Sequence, residues 1–514
     1  MAVGLHYRIR GNYKAMKKFV INTGASLINE IVTFLVGLIL PYLIISHYGS
    51  SVNGLVNSIT SWLGFITICE LGVGAVIKAN LYKPLAEKDT TRLNAVLKSA
   101  QNFFRKIAIV LIGYTAILAI VYPVLVGNEF EYWYSASLII IISISSFAQY
   151  YFGMIYQLLL AADQRAYIQL YTNCITLILN TVLSFILIKL DFSIHIVKLV
   201  TSFVFILRPM FMLYYANKHY DINLKIQYRG EPIKQKWNGL AQHIAMQVQT
   251  SVDVVILTIF SSMNDVSIYS IYNMVVKGIM QLVFTVNAGI SALIGKEIAE
   301  GDERKLSSTF SAFEWGMHTV TTVLFLITGV MIIPFITIYT KDVTDTNYII
   351  PVFGILITIC GALRCVQLTY NVVVQAAGHF KETQKAALIE PIINIIISLV
   401  AVKQFGLIGV TFGTVISLLY RAIYLIVYLH SNILHLQYHK TIKQVIVDII
   451  ISGISIGIFS FIPIADSSYM KWVISAILIS LIVTVVSALV NYFVYGEQMK
   501  SALSTVKKRI LHGK

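Results

Sequence analysis

Residues 83–126 read KPLAEKDTTRLNAVLKSAQNFFRKIAIVLIGYTAILAIVYPVLV, a polar and basic segment that gives way after Lys106 to a largely apolar run ending at Val126. A helix needs about 20 apolar residues to cross a bilayer core, and this run supplies them. The same alternation of basic loop and apolar run recurs along the whole chain. Spans are expected near 19–45, 54–80, 103–126, 133–161, 168–188, 194–216, 238–261, 267–295, 313–340, 349–377, 383–402, 406–429, 444–464 and 471–495. The sequence therefore predicts an all-α polytopic membrane protein of fourteen transmembrane helices. Composition agrees, because 12% charged residues is about half the ~25% found in soluble domains.

The loops also carry an orientation. Arg8, Arg10, Lys14, Lys17 and Lys18 precede the first span, and of the 39 Lys and Arg in all, the even-numbered loops and the C-terminus hold most of the others. The opposite side holds only Lys189, Lys341, Lys403 and Lys471. Basic loops stay cytoplasmic, so both termini are expected on the cytoplasmic side of the cell membrane. The net charge of +15 then reflects loops facing an anionic leaflet, at about 1 kcal/mol per residue, and no nucleic-acid partner is expected. Cys69, Cys174, Cys360 and Cys365 all fall within spans, which argues against a disulfide framework or an extracellular metal site. The first span is too long for a secretory signal and is expected to remain as an uncleaved helix.

The opening segment has a second copy. Lys83-Pro-Leu-Ala-Glu87-Lys-Asp89, followed by Leu93, matches Lys296-Glu-Ile-Ala-Glu300-Gly-Asp302, followed by Leu306. The shift that aligns them also places Arg208 on Arg421, and small changes of register place Ala161-Ala162 on Ala376-Ala377 and Asn180 with Ser184 on Asn394 with Ser398. A unit of six spans re-enters from the side it left, so the copies are expected to be parallel repeats about the membrane normal, with substrate held between the halves. The expected division is an N-terminal six-helix lobe at 1–217, a C-terminal lobe at 218–440, and two additional helices with a basic tail at 441–514. The basic stretch from Asn217 to Trp237 is the expected joint.

Polarity within the spans follows helical spacing. Asn22, Ser26, Asn29 and Thr33 share one face, as do Gln242, Met246, Gln249 and Asp253, and again Arg364, Gln367, Asn371 and Gln375. Such faces either meet a hydrated cavity or hydrogen-bond to neighbouring helices, at about 0.6 kcal/mol per bond. Charges at depth cost about 2.5–3.5 kcal/mol each on insertion scales and so point to function or to internal pairing. The basic set is Arg208, Lys277, Arg364 and Arg421; the acidic set is Glu30, Glu70, Asp253 and Glu390. Lys78, Lys198 and Glu314 lie near span ends, where they are expected to reach the interface. Tyr150, Tyr151, Phe152 and Tyr156 form a mid-span aromatic cluster suited to stacking on sugar rings, and Pro41, Pro123, Pro209, Pro334 and Pro391 are candidate kinks.

Other function classes lack their parts. Gly289-Ile-Ser-Ala-Leu-Ile-Gly295-Lys296-Glu297 has the wrong spacing and ending for a phosphate-binding loop, and no soluble stretch could house a nucleotide domain. The outer loops are too short for an outward-facing transferase or polymerase site, no filter motif suggests a channel, and no catalytic residue, cofactor or metal is expected.

Tyr48-Gly49-Ser-Ser-Val-Asn-Gly54-Leu-Val, Glu70-Leu-Gly72-Val-Gly74 and Tyr82-Lys-Pro-Leu-Ala-Glu-Lys-Asp89 together resemble the N-terminal signature of Wzx-type polysaccharide flippases of Gram-positive bacteria, within the multidrug/oligosaccharidyl-lipid/polysaccharide exporter superfamily. The resemblance implies a V-shaped pair of six-helix lobes that moves an undecaprenyl-pyrophosphate-linked oligosaccharide between leaflets by alternating access, for capsule or exopolysaccharide synthesis. It also implies membrane lipids and polysaccharide polymerases as partners, and coupling to protons or sodium. Basic side chains suit pyrophosphate, so the substrate-binding candidates are Arg208, Lys277, Arg364, Arg421, Gln367, Asn371 and Tyr156; the ion-coupling candidates are Glu30, Glu70 and Asp253. A multidrug or metabolite exporter of the same superfamily, or a flippase for another lipid-linked cell-wall precursor, would share the fold. Basic residues at the repeat-related positions 208 and 421 favour the anionic, lipid-linked cargo.

Overall fold

The computed structural model describes residues 2–70, 72–226, 240–435, 438–462 and 468–511, and the regular elements among them are all helical. The basic stretch expected as a joint lies outside them from residue 227 onward, and the side chain of Gln242 is likewise outside. By its internal contacts the chain separates into two compact units, Met1–Ser267 and Ile268–Lys514.

The first unit contains α1 (Ala2–Tyr48), α2 (Ser50–Gly64), α3 (Val73–Glu87), α4 (Thr90–Leu125), α5 (Tyr132–Ala148), α6 (Met154–Ala162), α7 (Ala166–Lys189), α8 (Ile194–His219), α9 (Leu240–Phe260) and the start of α10 (Met263–Glu300). Leu55 and Ile59 on α2 pack with Tyr122 on α4 and Leu138 and Ile139 on α5, all without exposed surface. A second core joins Ile77 and Leu81 of α3, Leu97 and Phe104 of α4, and Leu159 of α6. The second unit continues α10 and adds α11 (Glu303–Tyr339), α12 (Pro351–Ala376), α13 (Gln384–Leu429), α14 (His439–Phe459) and α15 (Tyr469–Leu511). The last two helices dock on α11, where Met331 packs with Phe459, Ile479 and Val483. Large apolar side chains also face outward in quantity, Trp133, Val400 and Phe493 among them. Surfaces of that kind belong in lipid.

Twelve of the described helices are long and apolar enough to cross a membrane, against fourteen expected. Two of the expected spans account for the difference. The expected spans 383–402 and 406–429 are two helices that meet at a kink at Gly406, φ 49° and ψ −125°, a conformation open to glycine, and they count together as one apolar stretch, Gln384–Leu434. The expected span at 238–261 corresponds to α9, Leu240–Phe260, which stands apart from the twelve because only Ile244–Phe260 is described with its side chains. The second expected span instead divides at a 3-10 turn, Phe65–Glu70, and at left-handed Gly72. The prolines do not break their helices: Pro41, Pro123, Pro209, Pro334 and Pro391 each lie inside a helix.

The duplication is visible as repeated local structure. Asp89 caps α4 by accepting from the Arg92 amide at 2.9 Å, and Asp302 caps α11 by accepting from the Lys305 amide at 3.0 Å. Backbone angles at the two caps agree within about 10°, φ −79° and ψ 93° against φ −88° and ψ 90°. Lys83 pairs with Glu87 and Lys296 with Glu300 one turn away, while Leu93 and Leu306 are both buried. Asp89→Ala and Asp302→Ala are each expected to cost about 1 kcal/mol, so thermal unfolding in detergent should show two small losses of similar size.

Candidate functional site

In the second unit three of the predicted side chains, Arg364, Gln367 and Arg421, gather around one carboxylate. Arg364, Gln367 and Asn371 stand at steps of three and four residues along α12, all half-buried. Facing them, α13 brings Glu390 from its first turns and Arg421 from beyond the Gly406 junction. Gln367 Nε2 donates to Glu390 Oε1 at 3.2 Å, and Arg421 Nε lies 3.9 Å from Glu390 Oε2. Arg364 also acts on Glu390 electrostatically. Arg421 Nη1 donates to the Thr383 carbonyl at 3.1 Å, and its guanidinium lies 5.7 Å from the Tyr424 ring centroid. The group is buried, with Arg421 4% and Glu390 8% exposed, so each charge requires the other.

Beside Arg421 runs an aromatic ladder. Tyr420, Tyr424 and Tyr428 recur every four residues on α13, half-buried, with Tyr424 and Tyr428 stacked at 6.0 Å. His379 Nδ1 and the Tyr428 hydroxyl are 2.9 Å apart. The aromatic cluster expected at 150–156 lies elsewhere, in the first unit. Tyr156 is 4% exposed and packs in the core of α3, α4 and α6, and Tyr150 and Tyr151 join a π-helical turn, Gln149–Gly153. The four-residue spacing of 420, 424 and 428 beside a buried arginine was the available signal for the ladder.

The repeat-related arginine of the first unit has a different setting. Arg208 on α8 donates through Nη1 to Asn173 Oδ1 at 3.0 Å, and Asn173 Nδ2 donates to Asn29 Oδ1 at 2.8 Å. Arg208 Nε is buried without a hydrogen-bond partner among the described residues. Asn22 and Asn29 thus hold α1 to α7, since Asn22 also accepts from the Tyr167 amide and donates to the Gln164 carbonyl. That stripe bonds neighbouring helices, while Ser26 and Thr33 on the same helix are exposed.

The remaining candidates are scattered. Lys277 is exposed on α10, and Glu30 is half-buried on α1. Glu70 is half-buried at the end of the 3-10 turn, where a Cβ on Gly74 would sit 3.3 Å from its Oε1. Asp253 and Gln249 are buried on α9. The four cysteines are free thiols. Among the described residues no group of three or more His, Cys, Asp or Glu is arranged to hold a metal ion.

Glu314 departs from its expected interfacial position. It is 5% exposed and accepts hydrogen bonds from Tyr370 at 2.8 Å and Thr441 at 2.6 Å. Sequence spacing could not reveal this, because the burial comes from α14 lying across the site.

No family model matches the sequence, and no curated protein matches it. Solved structures share the fold. The lipid II flippase MurJ, in an inward closed conformation, superposes with a TM-score of 0.68 at 16% identity, over 93% of this chain and 100% of that one. An inward-facing multidrug resistance MATE family transporter of the MOP superfamily gives 0.63 at 14% identity, over 77% of this chain and 93% of that one. The MATE multidrug transporter DinF-BH gives 0.54 at 16% identity, over 81% and 97%. The chain therefore has the polytopic membrane fold shared by flippases and multidrug exporters.

Proposed function

We propose that this protein is a flippase that carries an undecaprenyl-pyrophosphate-linked oligosaccharide across the cytoplasmic membrane by alternating access, supplying capsule or exopolysaccharide synthesis. Its termini would lie in the cytoplasm and a polysaccharide polymerase would take its product. The observation that carries this reading is the pair Arg208 and Arg421. They occupy the same place in the two repeats, both sit inside membrane helices, and among the described residues each donates a single hydrogen bond. A guanidinium has five N–H donors, so both retain capacity for phosphate oxygens. The half-buried Tyr420, Tyr424 and Tyr428 ladder adds stacking faces for sugar rings next to Arg421. Arg364, Gln367 and Asn371 extend the polar face, and Lys277 supplies a further cation. Glu30, Glu70 and Asp253 remain the proposed carboxylates for ion coupling.

A charge-assisted hydrogen bond contributes about 1.5–3 kcal/mol. Arg208→Gln and Arg421→Gln are therefore each expected to weaken binding of a short-chain polyprenyl pyrophosphate to purified protein by roughly tenfold or more. Affinities unchanged in both variants would remove the arginines from the head-group site.

A second reading, an ion-coupled exporter of cationic compounds, is favoured by the buried carboxylates Asp253 and Glu390 and by the MATE fold. Its signature would be dye binding that depends on Asp253 and is indifferent to both arginines.

A further inference from the structure

Away from the Arg421 site, the second unit buries a chain of titratable side chains where α14 packs on α11 beside α12. Glu314 and His318 come from α11, Tyr370 from α12, Thr441 and Asp448 from α14, and His430 from the π-helical turn His430–Leu434. Glu314, His318 and His430 are each at most 5% exposed. Tyr370 Oη lies 2.8 Å from Glu314 Oε1 and 2.9 Å from His318 Nε2. Thr441 Oγ1 lies 2.6 Å from the same Glu314 oxygen and 3.2 Å from His430 Nε2. His318 Nδ1 meets Asp448 Oδ2 at 2.6 Å, and His430 Nδ1 meets the Ile426 carbonyl at 2.9 Å.

Each of these contacts needs one hydrogen, and the supply can be counted. The Tyr370 and Thr441 hydroxyls hold one apiece and can give it either to Glu314 or to a histidine. A neutral histidine brings one, and His430 must spend its own on the Ile426 carbonyl, which only accepts. With both histidines neutral and both carboxylates ionised, the six contacts are two hydrogens short. Adding two protons satisfies all six, as two imidazoliums facing Glu314 and Asp448 or as an equivalent arrangement with a protonated carboxyl. The same two protons bring the four titratable groups to zero net charge, the state that burial favours.

We propose that Glu314, His318, His430 and Asp448 form a two-proton binding site, filled and emptied cooperatively through the Tyr370 and Thr441 hydroxyls, that serves as the coupling site of this transporter. The coupling role rests on the transport reading above; the proton site itself does not. Water can reach it, because a cavity of 460 Å³ is walled in part by Glu314 and Gln444, and Gln444 donates to Asp448 at 3.3 Å. His439, Lys440, Lys443 and Tyr495 also line that cavity, and Lys443 donates to the Val494 carbonyl and lies 4.7 Å from the Tyr495 ring centroid. Tyr438 adjoins His430 on its other side. The site ties α14 to α11, with Tyr370 of α12 bonded to the same two α11 side chains, so its proton occupancy bears on how the appended helices are held.

Selective ¹⁵N-histidine NMR of the full-length protein in bilayers, from about pH 5 to about pH 9 across the histidine range, tests the site directly. His318 and His430 should gain and lose their second ring protons together. In Glu314→Gln the amide can donate to both hydroxyls, which then turn toward the imidazoles, so both histidines should be neutral where the wild type holds them charged. Tyr370→Phe should uncouple His318 and leave His430 linked to Glu314. Independent titrations that ignore Glu314→Gln would overturn the proton site. In proteoliposomes, a pH gradient should drive polyprenyl-pyrophosphate oligosaccharide movement in the wild type, and Glu314→Gln should keep downhill exchange while losing the response. Movement indifferent to the gradient, alongside cooperative titration, would overturn the coupling role. Cooperative titration with no cargo moved at all would count against the flippase reading and leave the proton site standing.

Discussion

Arg421→Ala is expected to abolish translocation and to destabilise the second unit by about 3–5 kcal/mol, the cost of removing one partner from a buried charge pair. Glu390 would keep Gln367 and the field of Arg364 but lose the cation 3.9 Å from its Oε2. The two effects can be separated. Adding Glu390→Gln to Arg421→Ala removes the stranded charge and should recover most of the thermal stability, yet it cannot restore a phosphate ligand. A double variant that regained transport together with stability would show Arg421 to be a structural counter-ion only. The analogous change at Arg208 should affect stability far less, since its one hydrogen bond among the described residues goes to neutral Asn173.

Gly54→Ala is expected to prevent proper assembly of the first unit. A Cβ on Gly54 would stand 1.8 Å from the Met263 carbonyl oxygen, a clash with backbone that no rotamer change relieves. Overpacking in a core costs about 1–3 kcal/mol, and a backbone clash should exceed that range. Separating α2 from the start of α10 would also disturb the hydrogen bonds Asn53 to Ser267 at 2.7 Å and Ser58 to Thr258 at 2.6 Å. Gly113→Ala, where nothing lies within 4 Å of the new Cβ, is the control. Size-exclusion profiles should show loss of monodisperse protein for Gly54→Ala and no change for Gly113→Ala.

What could be read from the sequence was local or periodic. Asp89 and Asp302 announce helix starts because capping depends on the next three residues, and their matching loops revealed the duplication. Arg208 and Arg421 followed from the same shift. Glu390 was visible as a charge at depth, but its role required α12 and the far half of α13 to meet, and contacts across such separations leave no periodic trace. Glu314 misled for a related reason: its distance along α11 suggested an interface, and only the docking of α14 buries it. The division of the second span at Gly72 depended on backbone angles, which an apolar run does not encode. Gly54 stood in the quoted signature, yet its reason, the approach of a carbonyl from residue 263, lay more than 200 positions away.

The decisive measurement is movement of a fluorescent undecaprenyl-pyrophosphate oligosaccharide between leaflets of proteoliposomes carrying wild type, Arg208→Gln or Arg421→Gln protein, with efflux of a cationic dye followed in parallel. Lipid-linked oligosaccharide crossing in the wild type, lost in both arginine variants while they remain folded, is the expected result. Dye efflux that persists in both variants, with no crossing of the lipid in any of them, would contradict it.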